Sequence, residues 1–121
     1  IVVHCADTYS YMDIGAFEID GWHRDRGWTA IGYAHVIKRD GTIEAGRDLD
    51  GDGDVSDEVG AHAKGFNERS IGICLVGGRG EDEEAEDNFT YEQMDSLKFL
   101  LDEYLTKYPE IENLIMKLRR S

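Results

Sequence analysis

The stretch Ile71-Gly72-Ile73-Cys74-Leu75-Val76 carries no charged or amide side chain. A strand with one face in water alternates apolar and polar residues. An unbroken apolar run of strand length therefore belongs at the centre of a sheet covered on both faces. Cover of that kind requires helices, and one is strongly marked. Thr90-Tyr91-Glu92-Gln93 has the capping-box spacing, in which Thr90 and Gln93 satisfy each other's backbone donors. Met94, Leu97, Leu101, Tyr104, Leu105 and Tyr108 then recur at helical spacing as the expected inner face, and Pro109 ends the run.

The remaining segments fit the same plan. Ile1 to Cys5 reads as a short buried strand, followed by polar Asp7-Thr8. Asp13 is placed to cap a helix reaching about Arg26, with Ile14, Phe17 and Trp22 on its inner face. Tyr33 to Lys38 is the next strand, and Asp40-Gly41 is a hairpin signal leading into Thr42 to Ala45. A last helical piece is expected over Glu112 to Arg120. Strands interleaved with helices, one hairpin and one central strand predict a single α/β domain over residues 1–121, with a mixed central sheet flanked by helices.

Charge excludes more than it identifies. The chain has 26 acidic against 13 basic side chains, a formal net charge of -13. A nucleic-acid backbone or an anionic membrane rewards clustered Lys and Arg, so neither is an expected partner. No run approaches the ~20 apolar residues of a membrane helix. Ile-Val-Val-His-Cys is too short and lacks the basic leader of a signal peptide. Two cysteines imply no disulfide framework and fit a protein made in a reducing cytoplasm. A monomer is expected. Glu81 to Asp87 holds six carboxylates in seven positions, and such like-charge density predicts a solvated, mobile loop.

Several residues are equipped for chemistry. His4 ends the first strand, where a neutral imidazole is a zinc donor or a hydrogen-bonded core residue. Cys5 should point to the opposite face and is a poor second ligand. Tyr33 and His35, two apart on the predicted strand, should share one face, where a phenol and an imidazole can orient water or donate to an oxyanion. His62 sits among small residues in Gly60-Ala61-His62-Ala63, which permits close approach of a ligand or a simple turn. His23, flanked by Arg24, Asp25 and Arg26, reads as part of a solvated helix face.

The segment Asp48 to Glu58 has the front of a calcium loop. Asp48, Asp50, Asp52, Gly53, Asp54 and Ser56 fall at positions 1, 3, 5, 6, 7 and 9 of an EF-hand register. The bidentate acid expected at position 12 is replaced by Val59, with Glu58 one residue early. Calcium on Asp48, Asp50, Asp52 and Asp54 competes with a solvated acidic insertion.

Taken together, seven ordered blocks resemble the amidase-2 family, which includes T7-type phage lysozymes and peptidoglycan recognition proteins. They are Val-His-Cys-Ala-Asp-Thr at 3–8, Trp22-His23, Gly27-Trp28 with Ile31-Gly32-Tyr33, Ile-Lys-Arg-Asp-Gly-Thr-Ile-Glu-Ala-Gly-Arg at 37–47, Gly-Ala-His-Ala-Lys-Gly-Phe-Asn at 60–67, Ser-Ile-Gly-Ile-Cys-Leu-Val-Gly-Gly at 70–78, and Asn88-Phe89-Thr90 with the helix to Tyr108. The resemblance implies a zinc hydrolase that cuts the amide between N-acetylmuramic acid and L-alanine in peptidoglycan, as a phage or prophage endolysin. It implies that His4 is a zinc ligand and Tyr33 the catalytic tyrosine, with His62 and Asn67 as substrate contacts; His35, on the predicted face of Tyr33, is expected to be a further substrate contact. Such an enzyme would be made in the bacterial host's cytoplasm and act on the wall after release.

The pattern is incomplete. The family's second zinc histidine and its Lys-x-Cys-Pro segment should follow the long helix, yet no His or Cys lies beyond Cys74. Their segment is expected to be missing near Ile111–Glu112, leaving a break in the chain there. The alternative is a zinc-less module that binds peptidoglycan without cutting it.

Overall fold

A computed structural model describes residues 1–55, 58–62, 67 and 70–117. Five strands form the main sheet: β1 (Val2–Cys5), β3 (His35–Ile37), β4 (Ile43–Ala45), β5 (Gly72–Leu75) and β7 (Ile115–Lys117). A small second sheet pairs β2 (Thr8–Tyr9) with β6 (Gly78–Arg79), and two helices complete the fold, α1 (Ala16–Asp25) and α2 (Tyr91–Lys107). The main sheet runs β4-β3-β5-β1-β7; β3 and β4 form the antiparallel hairpin and the other pairs are parallel. The apolar run thus occupies the sheet centre, and Ile73, Cys74 and Leu75 are fully buried.

Alternation along the strands separates two cores. On one face Val3, Ile37, Ile73 and Leu75 pack against Leu97, Leu100 and Tyr104 of α2. On the other, Val36, Cys74 and Val76 pack against Ile19 of α1 and Ile31. The capping box forms as the spacing predicts: Thr90 accepts from the Gln93 backbone and the Gln93 side chain accepts from the Thr90 backbone. Gln93 is also fully buried, because its amide donates to the carbonyls of Ile37 (3.1 Å) and Val76 (2.7 Å). On α2 Leu100 is buried, although the spacing does not place it on the inner face, and Leu105 is exposed.

The first helix departs more. It starts at Ala16, and its first donor is satisfied by the Glu44 carboxylate of β4 at 2.9 Å, so Asp13 caps nothing. Glu44 is a tertiary cap that local spacing does not reveal. The buried stripe is Ile19 and His23; Phe17 is 89% and Trp22 40% exposed.

The piece beginning at Glu112 is a strand rather than a helix over its described part. Val2, Val3 and His4 of β1 pair with Ile115, Met116 and Lys117, and sheet pairing overrides the helical propensity of Leu-Ile-Met-Lys. On either side of Ile111–Glu112, the Ile111 N–H donates to the Tyr108 carbonyl (3.1 Å) and the Ile115 N–H to the Ile1 carbonyl (2.9 Å). Leu118 to Ser121 lie outside the described residues. Glu81 to Asp87 forms a hydrogen-bonded turn rather than an open loop, with Gly80 and Glu84 bonded backbone to backbone and Arg79 paired to Glu83.

Candidate active site

His4 lies at the carboxyl end of β1, on the α1 side of the sheet, because Val3 before it faces α2. Its ring is buried and stands 5.2 Å from the Tyr33 ring and 5.0 Å from the His62 ring, centroid to centroid. Nε2 of His4 and Nδ1 of His62 are 2.8 Å apart, a hydrogen bond in which one of the two rings must be the donor. Ser70 Oγ lies 3.2 Å from the other ring nitrogen of His62, and the His62 backbone N–H donates to Asn67 Oδ1. The predicted residues His4, Tyr33, His62 and Asn67 therefore converge.

Tyr33 is held by α1. The Gly32 N–H donates to His23 Nδ1 (2.9 Å) and the Ile31 N–H to Asp20 Oδ1 (2.8 Å), which pins the segment that presents the phenol. His23 is thus a buried positioning residue, not part of a solvated face. Its ring also packs 4.5 Å from Trp28 and 5.5 Å from Tyr33. Its spacing of four from Ile19 was the available signal.

His35 does not join the cluster. The chain bends at Ala34, so Tyr33 precedes the strand and does not alternate with it. His35 faces α2 instead, with Nε2 2.5 Å from the Tyr104 hydroxyl and Nδ1 buried without a hydrogen-bond partner among the described residues.

Burial sets the protonation of the site. It lowers His4 to about 4, with His62 and Lys117 adding repulsion, and lowers His62 as well. Both rings are neutral at pH 7. Burial also pushes the Tyr33 hydroxyl upward, next to the Cys74 thiol, so the phenol keeps its proton. The arrangement is a protonated donor beside two neutral imidazoles, which suits donation to a developing oxyanion. A shallow hollow beside His62 is lined by Gly32, Ala34, Arg47, Glu58 and Gly72.

The fit to zinc is partial. A catalytic zinc takes three protein ligands and a water. His4 and His62 offer two nitrogens, and among the described residues no third His, Cys, Asp or Glu joins them. The residues described here therefore do not complete a zinc site.

The acidic loop behaves differently from its predicted register. Carboxylates of Asp48, Asp50 and Asp52 lie within 4.8 Å of one another, a set able to accept a divalent cation. Asp54 leaves the set: it pairs with Lys107 of α2 at 3.3 Å. Glu58 accepts the Leu49 N–H instead of closing the loop. Ser56 lies outside the described residues.

A parallel-centred mixed sheet carries His4 near the carboxyl end of β1 and Tyr33 just before β3. The N-acetylmuramoyl-L-alanine amidase family model matches residues 1–117, and the chain belongs to that family. It is 48% identical over 108 residues to the endolysin of Escherichia phage T7, covering 89% of this chain and 67% of that protein. Its fold matches the N-acetylmuramoyl-L-alanine amidase LysC from Clostridium intestinale with a TM-score of 0.73 at 33% identity, over 95% of this chain and 67% of that one. Drosophila peptidoglycan recognition protein LB shares the fold alone, with a TM-score of 0.73 at 24% identity over 96% of this chain and 67% of that one. The expected fold class and family are both met.

Proposed function

We propose that this chain hydrolyses the amide between N-acetylmuramic acid and L-alanine in peptidoglycan, with zinc as cofactor, in a phage or prophage endolysin that reaches the wall after release from the cytoplasm. The observation that carries this reading is the convergence of neutral His4, neutral His62 and protonated Tyr33. In it Tyr33 donates to the oxygen of the scissile carbonyl as negative charge develops there, an interaction stronger in the transition state than in the ground state. His62 holds His4 in one orientation and lines the hollow beside it. His4 is the zinc donor this chain contributes. Zinc, when bound, supplies Lewis acidity and an activated water.

The test is release of L-alanine amino groups from purified peptidoglycan by the full-length protein. Release should stop on chelation and return with added zinc. Failure to release any amine with zinc present refutes the enzymatic reading.

The His4–His62 bond and the cationic Lys117 beside it favour a second reading, a zinc-less module that binds peptidoglycan. Unchanged binding under chelation, together with no amine release, selects it.

A further inference from the structure

In a chain with twice as many acids as bases, four of the nine described Lys and Arg side chains pair with a carboxylate. Lys38 pairs with Asp13, Lys107 with Asp54, Arg24 with Asp20, and Arg79 with Asp7 and Glu83. Three of the other five, Arg26, Arg47 and Lys117, act on the imidazoles of the active-site cluster. Lys117 acts on His4 and His62, and Arg26 and Arg47 act on His23, where Asp20 opposes them. A positive island in an acidic chain concentrates anions where they would otherwise be repelled.

Lys117 is the member of that island that acts on both His4 and His62. It is in register with His4 across the parallel β1–β7 pair, so the two side chains leave the sheet on the same face. It is exposed, and no carboxylate among the described residues pairs with it. Exposure matters for its role. An ammonium in solvent is too well screened to stabilise an oxyanion strongly, yet it can hold a flexible charged arm at the rim. A peptide attached through the scissile amide carries such arms, as its terminal carboxylate and as acidic side chains.

Resting on the peptidoglycan reading above, we infer that Lys117 is a substrate-binding residue that takes a carboxylate of the peptide stem at the rim of the His4–Tyr33–His62 site. Two sources share that chemistry, the stem's terminal carboxylate and an acidic side chain within it.

The experiment measures binding of a muramoyl tripeptide by the full-length protein, using the free acid and two fragments, each with one carboxylate amidated. Lys117→Met should weaken the free acid about two- to fivefold, the range of an exposed ion pair. It should leave unchanged the one amide that already lacks the partner carboxylate, and that amide names the source. Lys117→Arg should restore affinity, and ~0.5 M salt should erase the difference. Equal weakening of all three fragments, or none, overturns the assignment while the peptidoglycan reading stands. Failure of the parent to bind any fragment overturns both. Unchanged melting of Lys117→Met shows that the loss is not one of folding.

Discussion

Nε2 of His4, on the first strand, lies 2.8 Å from Nδ1 of His62, which arrives through a segment 58 residues later and is held by Ser70 and Asn67. Each ring excludes water from the other, and this mutual burial keeps both neutral.

Tyr33→Phe removes the proposed donor and keeps the ring that packs on His4 and His23. Amide hydrolysis should fall about 10²- to 10³-fold, as when one oxyanion donor is lost. Retention of the insoluble substrate should hardly change, since the loss is confined to the transition state. Parallel assays of amine release and of pelleting with peptidoglycan separate the two. A variant as fast as the parent removes Tyr33 from the chemistry.

His23 predicts a pH dependence of stability. Burial, aided by Arg26, lowers its pKa from 6.5 to about 4. Between those values the unfolded chain binds more protons than the folded one. Stability is therefore full above about pH 6.5 and falls as the pH drops towards 4, by about 2 kcal/mol from this residue at pH 5. Urea midpoints from pH 7 to 4.5 would record the slope. His23→Gln, which can still accept the Gly32 N–H, should make it shallower, the rest coming from His4 and His62; an unchanged slope would place the titration elsewhere.

What the sequence revealed, and what it hid, follows the range of the interactions. The central strand and the capping box were legible because Ile71 to Val76 and Thr90 to Gln93 state their requirements locally. His4 and Tyr33 were legible only through the family resemblance, since nothing in their spacing brings them together. His23 was misread from its charged neighbours, although Ile19 one turn earlier marked the buried stripe. His35 was assigned to the wrong face because the bend at Ala34 breaks the alternation on which the assignment rested. The strand at Ile115–Lys117 was read as a helix because its only support is pairing with β1, at the other end of the chain.

The acidic loop makes a separable prediction. Asp48 Oδ1 is buried without a hydrogen-bond partner among the described residues, beside the carboxylates of Asp50 and Asp52. If calcium joins them, millimolar calcium should raise the melting temperature, because a ligand of the folded state stabilises it by mass action. Asp48→Asn with Asp52→Asn should lose that gain. Asp54→Asn should keep it, since Asp54 is turned to Lys107. A parent indifferent to calcium returns the loop to a solvated insertion.

Gly72 offers a way to move His62 without altering any proposed functional group. A Cβ at Gly72 would fall 2.6 Å from Cγ, 2.7 Å from Cδ2 and 2.8 Å from Nδ1 of the His62 ring, all closer than real contacts allow. The strand is the part that stays. Gly72 is in register with Val2, and its carbonyl accepts from Ala34 at 2.8 Å, so the ring must give way. Displacing the ring opens the 2.8 Å contact to His4. Gly72→Ala should cost about 1–3 kcal/mol of stability, the usual penalty of overpacking. At temperatures where the variant remains folded, amine release should still fall by more than tenfold if the imidazole pair orders the site. Gly21→Ala is the matched control: a Cβ there meets nothing within 4 Å, and alanine inside α1 should stabilise by about 0.5–1 kcal/mol. Melting curves and release assays on both variants decide the matter. Parent-level activity in a Gly72→Ala protein would mean that the His4–His62 contact is incidental to function.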